Sequence, residues 1–149
     1  MTDSAADHRF LRAAIEQSRN CPPSDSAFSV GAVLVGADGA VLATGYSRES
    51  DPRDHAEEAA LAKVAGQPGP GATIYSSLEP CLRRLSRPRS CCELITAAGI
   101  TRVVLAWREP PIFVPGGGAA WLEDHGVLVT EIPELEPEAR AANAHLLPG

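Results

Sequence analysis

The side chains best suited to chemistry lie in two short segments. The first is His55-Ala56-Glu57, which places an imidazole and a carboxylate two residues apart. The second begins at Pro80-Cys81 and extends to Cys91, and it supplies two thiols. One histidine and two cysteines can hold zinc through three protein ligands and leave the fourth tetrahedral position open for water. The sequence therefore predicts a catalytic Zn²⁺ site formed by His55, Cys81 and Cys91.

Glu57 is the predicted catalytic residue. A water molecule activated by zinc needs a nearby base, and a carboxylate that is not itself a ligand can take the proton and pass it on. Zinc deaminases combine His/Cys/Cys ligands with such a glutamate, in a His-x-Glu segment that is followed by Pro-Cys. The pattern therefore predicts hydrolytic deamination of a cyclic amidine with release of ammonia.

Two structural alternatives remain open for the same residues. Asp54 is suited to cap a helix, and Glu57, three residues later, would then complete a capping box. A zinc ion can also be purely structural, in which case the chain is a non-catalytic zinc-binding assembly module. Glu57 distinguishes these alternatives, because a structural zinc site does not need it. Glu58 is predicted to be a surface residue that points away from the metal.

The segment between the two cysteines departs from the common signature. Nine residues separate Cys81 from Cys91, whereas the signature has two. The segment is rich in arginine, which suits bidentate phosphate binding, so we predict that it contacts a phosphorylated substrate. The alternative is a solvated loop whose charges offset an acidic surface. The candidates are Arg83, Arg84, Arg87 and Arg89.

Composition limits the other classes of function. The 149 residues, of which 44% are hydrophobic, fit a single domain spanning 1–149. The net charge of −6 argues against a nucleic-acid surface, because such binding relies on lysine and arginine meeting phosphates. No apolar run is long enough to cross a membrane, and the acidic N-terminus lacks the order of a signal peptide. We therefore expect a cytoplasmic protein with reduced cysteines.

Hydrophobic periodicity predicts the elements that position these side chains. Strands that alternate with helices after an initial hairpin predict a three-layer α/β/α sandwich around a five-stranded mixed sheet. The two motifs would each begin a helix that follows a strand. The predicted strands cover 30–35, 41–46, 73–76, 102–106 and 127–130, and the predicted helices cover 5–20, about 55–64, about 91–98, 119–125 and 134–147.

These motifs resemble the cytidine-deaminase-like zinc hydrolases, and within them the pyrimidine deaminase domain of bacterial riboflavin biosynthesis. The resemblance covers nearly the whole chain, including His55-Ala56-Glu57, the Leu78-Glu79-Pro80-Cys81 segment and the Val-Gly-rich strand 30–35. It implies a small pyrimidine-type substrate, first the diaminopyrimidine ribosylamino phosphate of riboflavin synthesis, and a homo-oligomer, either dimer or tetramer. The family's usual reductase domain does not follow before Gly149, so a stand-alone deaminase is expected.

The segment before strand 30–35 leaves the substrate open. The riboflavin enzymes have an asparagine-proline pair there, whereas this chain has Ser26-Ala27-Phe28-Ser29. The segment that contains Phe28 resembles the corresponding segment of free-nucleoside cytidine deaminases. Phe28 is therefore a predicted substrate contact. Deamination of cytidine, deoxycytidylate or a nucleobase is the alternative function. By its position from Cys91, Arg87 resembles a basic residue that the family directs at substrate phosphate. Trp107 is predicted to stack on the base, although it suits a core or a subunit interface equally well.

Overall fold

The structure is a computed structural model, and it describes residues 4–84, 87–113 and 116–147. Leu85-Ser86 of the arginine segment, Val114-Pro115 and Gly149 lie outside the described residues. No helix among the described residues is long and apolar enough to cross a membrane. The helices are α1 (Ala5–Ser18), α2 (Ala56–Ala62), α3 (Cys91–Ala97), α4 (Gly118–Asp124) and α5 (Glu136–Ala141), and the strands are β1 (Gly31–Val35), β2 (Val41–Tyr46), β3 (Thr73–Ser76), β4 (Arg102–Leu105) and β5 (Leu128–Glu131).

The five strands form one mixed sheet in the order β2-β1-β3-β4-β5. β1 pairs antiparallel with both β2 and β3, whereas β3 with β4 and β4 with β5 are parallel. The turn between β1 and β2 is closed by the N–H of Gly36, which donates to the carbonyl oxygen of Ala40 at 2.9 Å. The predicted five-stranded mixed sheet, with an initial hairpin and parallel later strands, is confirmed.

Two glycines allow helices to lie close against opposite faces of this sheet. A Cβ on Gly31 of β1 would overlap the carbonyl oxygen of Ala14 in α1, and a Cβ on Gly45 of β2 would overlap that of Ala56 in α2. Ala32 is the pairing partner of Gly45, and it follows Gly31 directly, so the two glycines face opposite sides. With α5 beside α1 and α3 beside α2, this is the predicted three-layer sandwich.

A buried ion pair joins α1 to β4. Asp7 accepts two hydrogen bonds from the guanidinium of Arg102, at 2.9 Å and 2.7 Å, and one from the hydroxyl of Tyr75 at 2.6 Å. The hydrogen bonds from Arg102, opposed by burial and helped by Tyr75, hold the pKa of Asp7 well below its usual range. The layer containing α1 is thereby fixed to the middle of the sheet.

The C-terminal tail differs from the single helix predicted over 134–147. It forms a 3-10 helix (Pro133–Leu135), then α5, then a second 3-10 helix (Ala144–Leu146). The side chain of Asn143 accepts the N–H of Ser29 at 2.6 Å and donates to the carbonyl oxygen of Ser29 at 3.0 Å. An asparagine that bonds backbone groups in this way competes with continuation of a helix. The tail is thereby attached to the segment that precedes β1.

Candidate metal and catalytic site

The first turn of α2 holds His55 and Glu57. His55 is the N-cap residue, and Glu58 Oε1 accepts the N–H of His55 at 3.2 Å. The prediction that Asp54 caps the helix with Glu57 completing a capping box is therefore wrong, because the acid that reaches back is Glu58. Asp54 instead accepts two backbone N–H groups of the preceding loop, both at 3.0 Å. Capping by Glu58 leaves the side chain of Glu57 available to the site.

His55, Cys81 and Cys91 converge at one place. His55 Nδ1 lies 3.5 Å from Cys81 Sγ and 3.4 Å from Cys91 Sγ. One ligand atom from each of the three residues lies within 4.8 Å of the other two. Both cysteines are buried, whereas His55 is half-buried at the edge of the cluster. The structure thus brings together the three residues that the sequence predicts as metal ligands.

The beginning of α3 returns Cys91 to Cys81 across the nine-residue segment. Ser90 caps α3, and its hydroxyl accepts the N–H of Glu93 at 3.2 Å. The N–H of Cys91 donates to Cys81 Sγ at 3.2 Å, and the N–H of Cys92 donates to the carbonyl oxygen of Cys81 at 3.1 Å. Because the N–H of Cys91 lies at the N-terminus of α3 and points at the sulfur of Cys81, it favours a negative charge on that sulfur. A helix end, rather than a tight knuckle, therefore closes the long spacing.

The surroundings of the two thiols favour one thiolate and one thiol. Hydrogen bonding with Cys91, opposed by burial and helped by hydrogen bonding with His55, holds the pKa of Cys81 well below its usual value. The same hydrogen bond, together with burial, raises the pKa of Cys91 well above its usual value. A second thiolate beside Cys81 and Glu57 needs compensating positive charge, which a divalent cation supplies. Two sulfur donors and an imidazole fit zinc.

Glu57 is 3% exposed, and its carboxyl lies beside the cluster. Its Oε2 atom lies 3.1 Å from the hydroxyl of Ser76, which also donates to the carbonyl oxygen of Leu78 at 2.7 Å. Burial and, after it, the neighbouring Cys81 raise the pKa of Glu57. A buried carboxyl group whose pKa is raised holds a proton more readily than an exposed one, which suits a group that must take and then return a proton.

The cluster borders a cleft of about 390 Å³, a usual size for a small-molecule site. His55, Glu57 and Cys81 line one part of it. The rest of the lining comes from the segment before β1, the loop between β2 and α2, the arginine segment and the loop after β4. These segments contribute Ala27, Phe28, Arg48, Arg53, Glu109 and Phe113, among others.

Two glutamates that follow the parallel strands β3 and β4 shape the cleft. Glu79 is 4% exposed and accepts the N–H of Glu109 at 2.9 Å and that of Ala119 at 2.7 Å. It thereby holds the loop after β4 and the start of α4 beside the cluster. Glu109 lines the cleft, and burial, followed by the charges of Cys81 and Glu57, raises its pKa to about 8. The raised pKa favours the protonated form of this carboxyl, which can donate a hydrogen bond.

The predicted phosphate-binding arginines occupy different environments. Arg83 is exposed and lines the cleft, without an ion pair to another described residue. Arg84 also lines the cleft, but its side chain is 3% exposed and lies 3.2 Å from Glu58. Arg87 pairs with Asp54 and Glu58, each at 3.1 Å, and is not among the described residues that line the cleft. Glu58, which was predicted to be a surface residue pointing away from the metal, is half-buried under these two arginines and is not among the described residues that line the cleft.

The two aromatic residues predicted to contact the substrate, Phe28 and Trp107, lie at different depths from the cleft. Phe28 lines the cleft, and its ring packs edge-on against Phe113 and Trp107, with centroids 5.0 Å and 5.4 Å away. Trp107 is 3% exposed and is not among the described lining residues, and the guanidinium of Arg140 lies over its ring at 5.3 Å. The structure therefore places Phe28 at the cleft and Trp107 behind it.

Arg48 and Glu109 line the cleft, although no sequence motif singles them out. Glu109 follows the parallel strand β4, and ligands of α/β sheets bind beyond the carboxyl ends of such strands. That rule is a signal that points to Glu109. Arg48 lies in a polar loop whose sequence carries no corresponding signal, and only the folded chain places it at the cleft.

The family is decided by the sequence comparison. Residues 4–107 match the family described as the cytidine and deoxycytidylate deaminase zinc-binding region. The chain belongs to this family. The matched part includes Glu57 and all three members of the His/Cys/Cys cluster. The resemblance to cytidine-deaminase-like zinc hydrolases is thereby confirmed.

Similar proteins within the family include riboflavin biosynthesis proteins. A diaminohydroxyphosphoribosylamino-pyrimidine deaminase of Schizosaccharomyces pombe is 42% identical over 126 residues, which cover 82% of this chain and 31% of that protein. The chain spans less than a third of the length of this and three further curated relatives, which are RibD proteins.

Two solved structures share the fold over most of the chain. Acinetobacter baumannii RibD has a TM-score of 0.81 at 29% identity, over 95% of this chain and 39% of that one. The Aspergillus oryzae Rib2 deaminase, as a C-terminal deletion mutant, has a TM-score of 0.83 at 26% identity, over 93% of this chain and 90% of that one. The cytidine-deaminase-like fold is therefore confirmed.

Proposed function

We propose that this chain is a zinc-dependent aminohydrolase that deaminates a pyrimidine nucleotide-like substrate and releases ammonia. The observation that carries this proposal is Glu57, a buried carboxyl that is not used for capping and lies beside a His/Cys/Cys cluster. A structural zinc site has no use for such a group, so Glu57 argues against a non-catalytic assembly module. The first candidate substrate is the diaminopyrimidine ribosylamino phosphate of riboflavin synthesis.

His55, Cys81 and Cys91 are the proposed metal ligands. A zinc ion held there would supply a Lewis acid that makes water acidic near neutral pH. The donor set fits zinc, since the second thiolate requires a nearby cation, and the half-buried His55 leaves the cluster accessible from the cleft. The substrate ring would enter from the cleft side.

Glu57 is the proposed proton carrier. Deamination replaces an exocyclic amino group by the oxygen of water, so water loses two protons, of which one ends on the leaving nitrogen and the other on the adjacent ring nitrogen. A carboxylate beside the reacting carbon can take the first proton and return it to the substrate nitrogens. The raised pKa of Glu57 suits a group that must both accept and return a proton.

The substrate class is supported by the name of the Schizosaccharomyces pombe relative and by the cations around the cleft. We propose that Arg83, with Arg84 and Arg87, contributes to phosphate recognition and that Phe28 contacts the base, with Trp107 supporting it. A second candidate is deamination of cytidine, deoxycytidylate or a nucleobase. The engagement of Arg87 by Asp54 and Glu58 favours this second candidate, because those carboxylates compete with phosphate.

Ammonia release from a substrate panel tests the proposal. The panel contains the diaminopyrimidine ribosylamino phosphate, its dephosphorylated form, cytidine, deoxycytidylate, cytosine and guanine, each given to the zinc-loaded protein. We expect the highest kcat/KM for the diaminopyrimidine ribosylamino phosphate. A higher value for cytidine or a nucleobase selects the second candidate, and no ammonia from any compound by zinc-loaded protein contradicts the proposed function.

A further inference from the structure

Arg48 has a backbone conformation that arginine rarely adopts. Its φ is +62°, in the left-handed region that favours glycine. The only other described non-glycine residue with positive φ is Ala65, which is exposed and does not line the cleft. Arg48 does line the cleft, in the loop between β2 and α2. A strained residue at a candidate site calls for an account of what its side chain does there.

The guanidinium of Arg48 holds the segment that carries Phe28. Its Nη1 donates to the carbonyl oxygen of Phe28 at 3.1 Å, and its Nη2 donates to the hydroxyl of Ser29 at 2.7 Å. Its Nε and Nη2 both donate to the carbonyl oxygen of Pro22, at 3.1 Å and 2.8 Å. Four hydrogen bonds from one planar group therefore fix the position of the chain from Pro22 to Ser29.

The backbone of Arg48 holds the strip of chain that carries the catalytic candidates. Its N–H donates at 2.8 Å to the carbonyl oxygen of Asp54, the residue before His55. One residue thus joins two strips that both line the cleft, the first containing Phe28 and the second containing His55 and Glu57. The left-handed conformation of Arg48 is what lets its amide and its guanidinium meet both strips.

The three acceptors of the Arg48 side chain, two backbone carbonyl oxygens and one hydroxyl, are neutral, and no carboxylate among the described residues pairs with it. This contrasts with Arg102, which is neutralised by Asp7. A purely structural cation would be stabilised by a nearby acid, whereas here the planar donor geometry is matched to backbone oxygens. The contact therefore depends on the shape of the guanidinium and not on charge alone.

We propose that Arg48 is a positioning residue for the reaction, one that sets the distance between the Phe28 wall and the strip holding His55 and Glu57. This inference rests on the proposed deaminase function. Without the guanidinium, the wall loosens while the metal ligands and Glu57 keep their own supports in α2, β3 and α3. Substrate binding suffers more than the chemical step.

The kinetic test compares Arg48→Gly, Arg48→Lys and Ala65→Gly. Glycine adopts the positive φ freely, so Arg48→Gly removes only the side chain, and Ala65→Gly controls for the same backbone change away from the cleft. Lysine keeps the positive charge but lacks the planar set of N–H donors of the guanidinium. We expect KM to rise about ten-fold in both Arg48 variants while kcat changes less than about three-fold, and Ala65→Gly to match wild type. Wild-type KM in Arg48→Lys would overturn the proposal, and Arg48→Lys decides it if Arg48→Gly does not fold.

Chemical rescue adds a readout that a general loss of stability would not show. Guanidinium chloride at about 10 mM is too dilute to unfold the protein, since its effect on the free energy of unfolding is only a few kcal/mol per molar. It should lower the KM of Arg48→Gly towards wild type and leave Arg48→Lys unchanged, because lysine fills the site. An equal response of both variants, or none in Arg48→Gly, would overturn the proposal.

Fluorescence of Trp107 tests the wall without any activity. Phe28 packs edge-on against Trp107, so loosening Phe28 exposes the indole to acrylamide. In a Trp121→Phe background, quenching should increase in both Arg48 variants and stay at the wild-type level in Ala65→Gly. Unchanged quenching would overturn the inference about Arg48. Absence of ammonia release by the wild type would instead contradict the proposed function, so the two failures are distinguishable.

Discussion

Glu57 and Glu58 are adjacent glutamates whose environments give them different properties. Glu58 lies at the third position of α2, where it accepts the N–H of His55 and pairs with Arg84 and Arg87. Glu57 is buried beside the cluster, and its one described side-chain partner is the hydroxyl of Ser76. Burial and the neighbouring Cys81 raise the pKa of Glu57. A carboxylate that only caps a helix has no need of a raised pKa. The difference of one residue therefore separates the proposed proton carrier from the residue that caps the helix.

The metal ligands can be tested through a matched pair of adjacent cysteines. Cys91 Sγ lies 3.4 Å from His55 Nδ1, whereas Cys92 is buried and its Sγ donates to the carbonyl oxygen of Pro80 at 3.4 Å. We expect about one zinc per chain in wild type and in Cys92→Ser, and less than a tenth of that in Cys91→Ser. Metal analysis by mass spectrometry after gentle purification measures this. Equal zinc in the two variants would exclude Cys91 as a ligand.

The arginine segment offers a second matched pair. Arg83 lines the cleft without an ion pair to a described residue, whereas Arg87 is held by carboxylates. Arg83→Ala should raise KM for the nucleotide about ten-fold and leave KM for the nucleoside within about two-fold, since a hydrogen bond to a charged group contributes about 1.5–3 kcal/mol. Arg87→Ala should have the smaller effect on the ratio of the two KM values. If Arg87→Ala changed that ratio more than Arg83→Ala does, Arg87 and not Arg83 would be the phosphate contact.

At the scale of elements, the site depends on how closely α2 lies against β2. Gly45 permits this approach at Ala56, between His55 and Glu57, and Gly31 permits the equivalent approach of α1 to β1. Each glycine-to-alanine change should lower the free energy of unfolding by about 1–3 kcal/mol, because a methyl group is forced into a filled space. Only Gly45→Ala should also weaken zinc binding, measured by competition with a chelator. Equal zinc affinity in the two variants would show that the approach of α2 does not position the ligand.

Most elements were predictable because each carries its own periodic pattern. The apolar run of β1 and the hairpin to β2 follow from local residue types, and the strands after them are short and β-branched. The capping residue of α2 was not predictable, because Asp54 and His55 are each followed three residues later by a glutamate that could complete a capping box. The tail helix was predicted too long, because the bond from Asn143 to Ser29 joins residues far apart in sequence.

The same distinction holds for the site. His55, Cys81, Cys91 and Glu57 were predictable because the spacing of a metal motif is local and specific. The partners of Arg87 were not, because they lie in the loop before α2 and in α2 itself, and no pattern links those segments. Arg48 was missed for the same reason, since its three acceptors lie 19 to 26 residues away.

For the whole molecule, the Asp7–Arg102 pair predicts a pH dependence of stability. The folded pKa of Asp7 is depressed, so its contribution is present above the unfolded pKa of about 3.9 and is lost as pH falls below that value. Asp7→Asn should cost about 3 kcal/mol near neutrality. Urea unfolding at pH 6 and pH 3 should show the difference from wild type shrinking by about 1 kcal/mol. A difference that is the same at both pH values would contradict this account.

Some predicted properties of the whole molecule are confirmed, and others stay predictions. The three-layer fold and the family are confirmed, because they depend on patterns spread along most of the chain. The cytoplasmic location, the homo-oligomer and the lack of nucleic-acid binding stay predictions. Each of them depends on partners or surroundings that a single folded chain does not contain.

The central claim is that Glu57 carries protons for a deamination at the His55, Cys81 and Cys91 site. Ammonia release from the diaminopyrimidine ribosylamino phosphate by zinc-loaded wild type, Glu57→Gln and Glu58→Gln tests it most directly. We expect Glu57→Gln to keep its zinc and lose about 10²- to 10⁴-fold in kcat, and Glu58→Gln to lose only a few-fold. Zinc-loaded Glu57→Gln that turns over as fast as wild type would contradict the account.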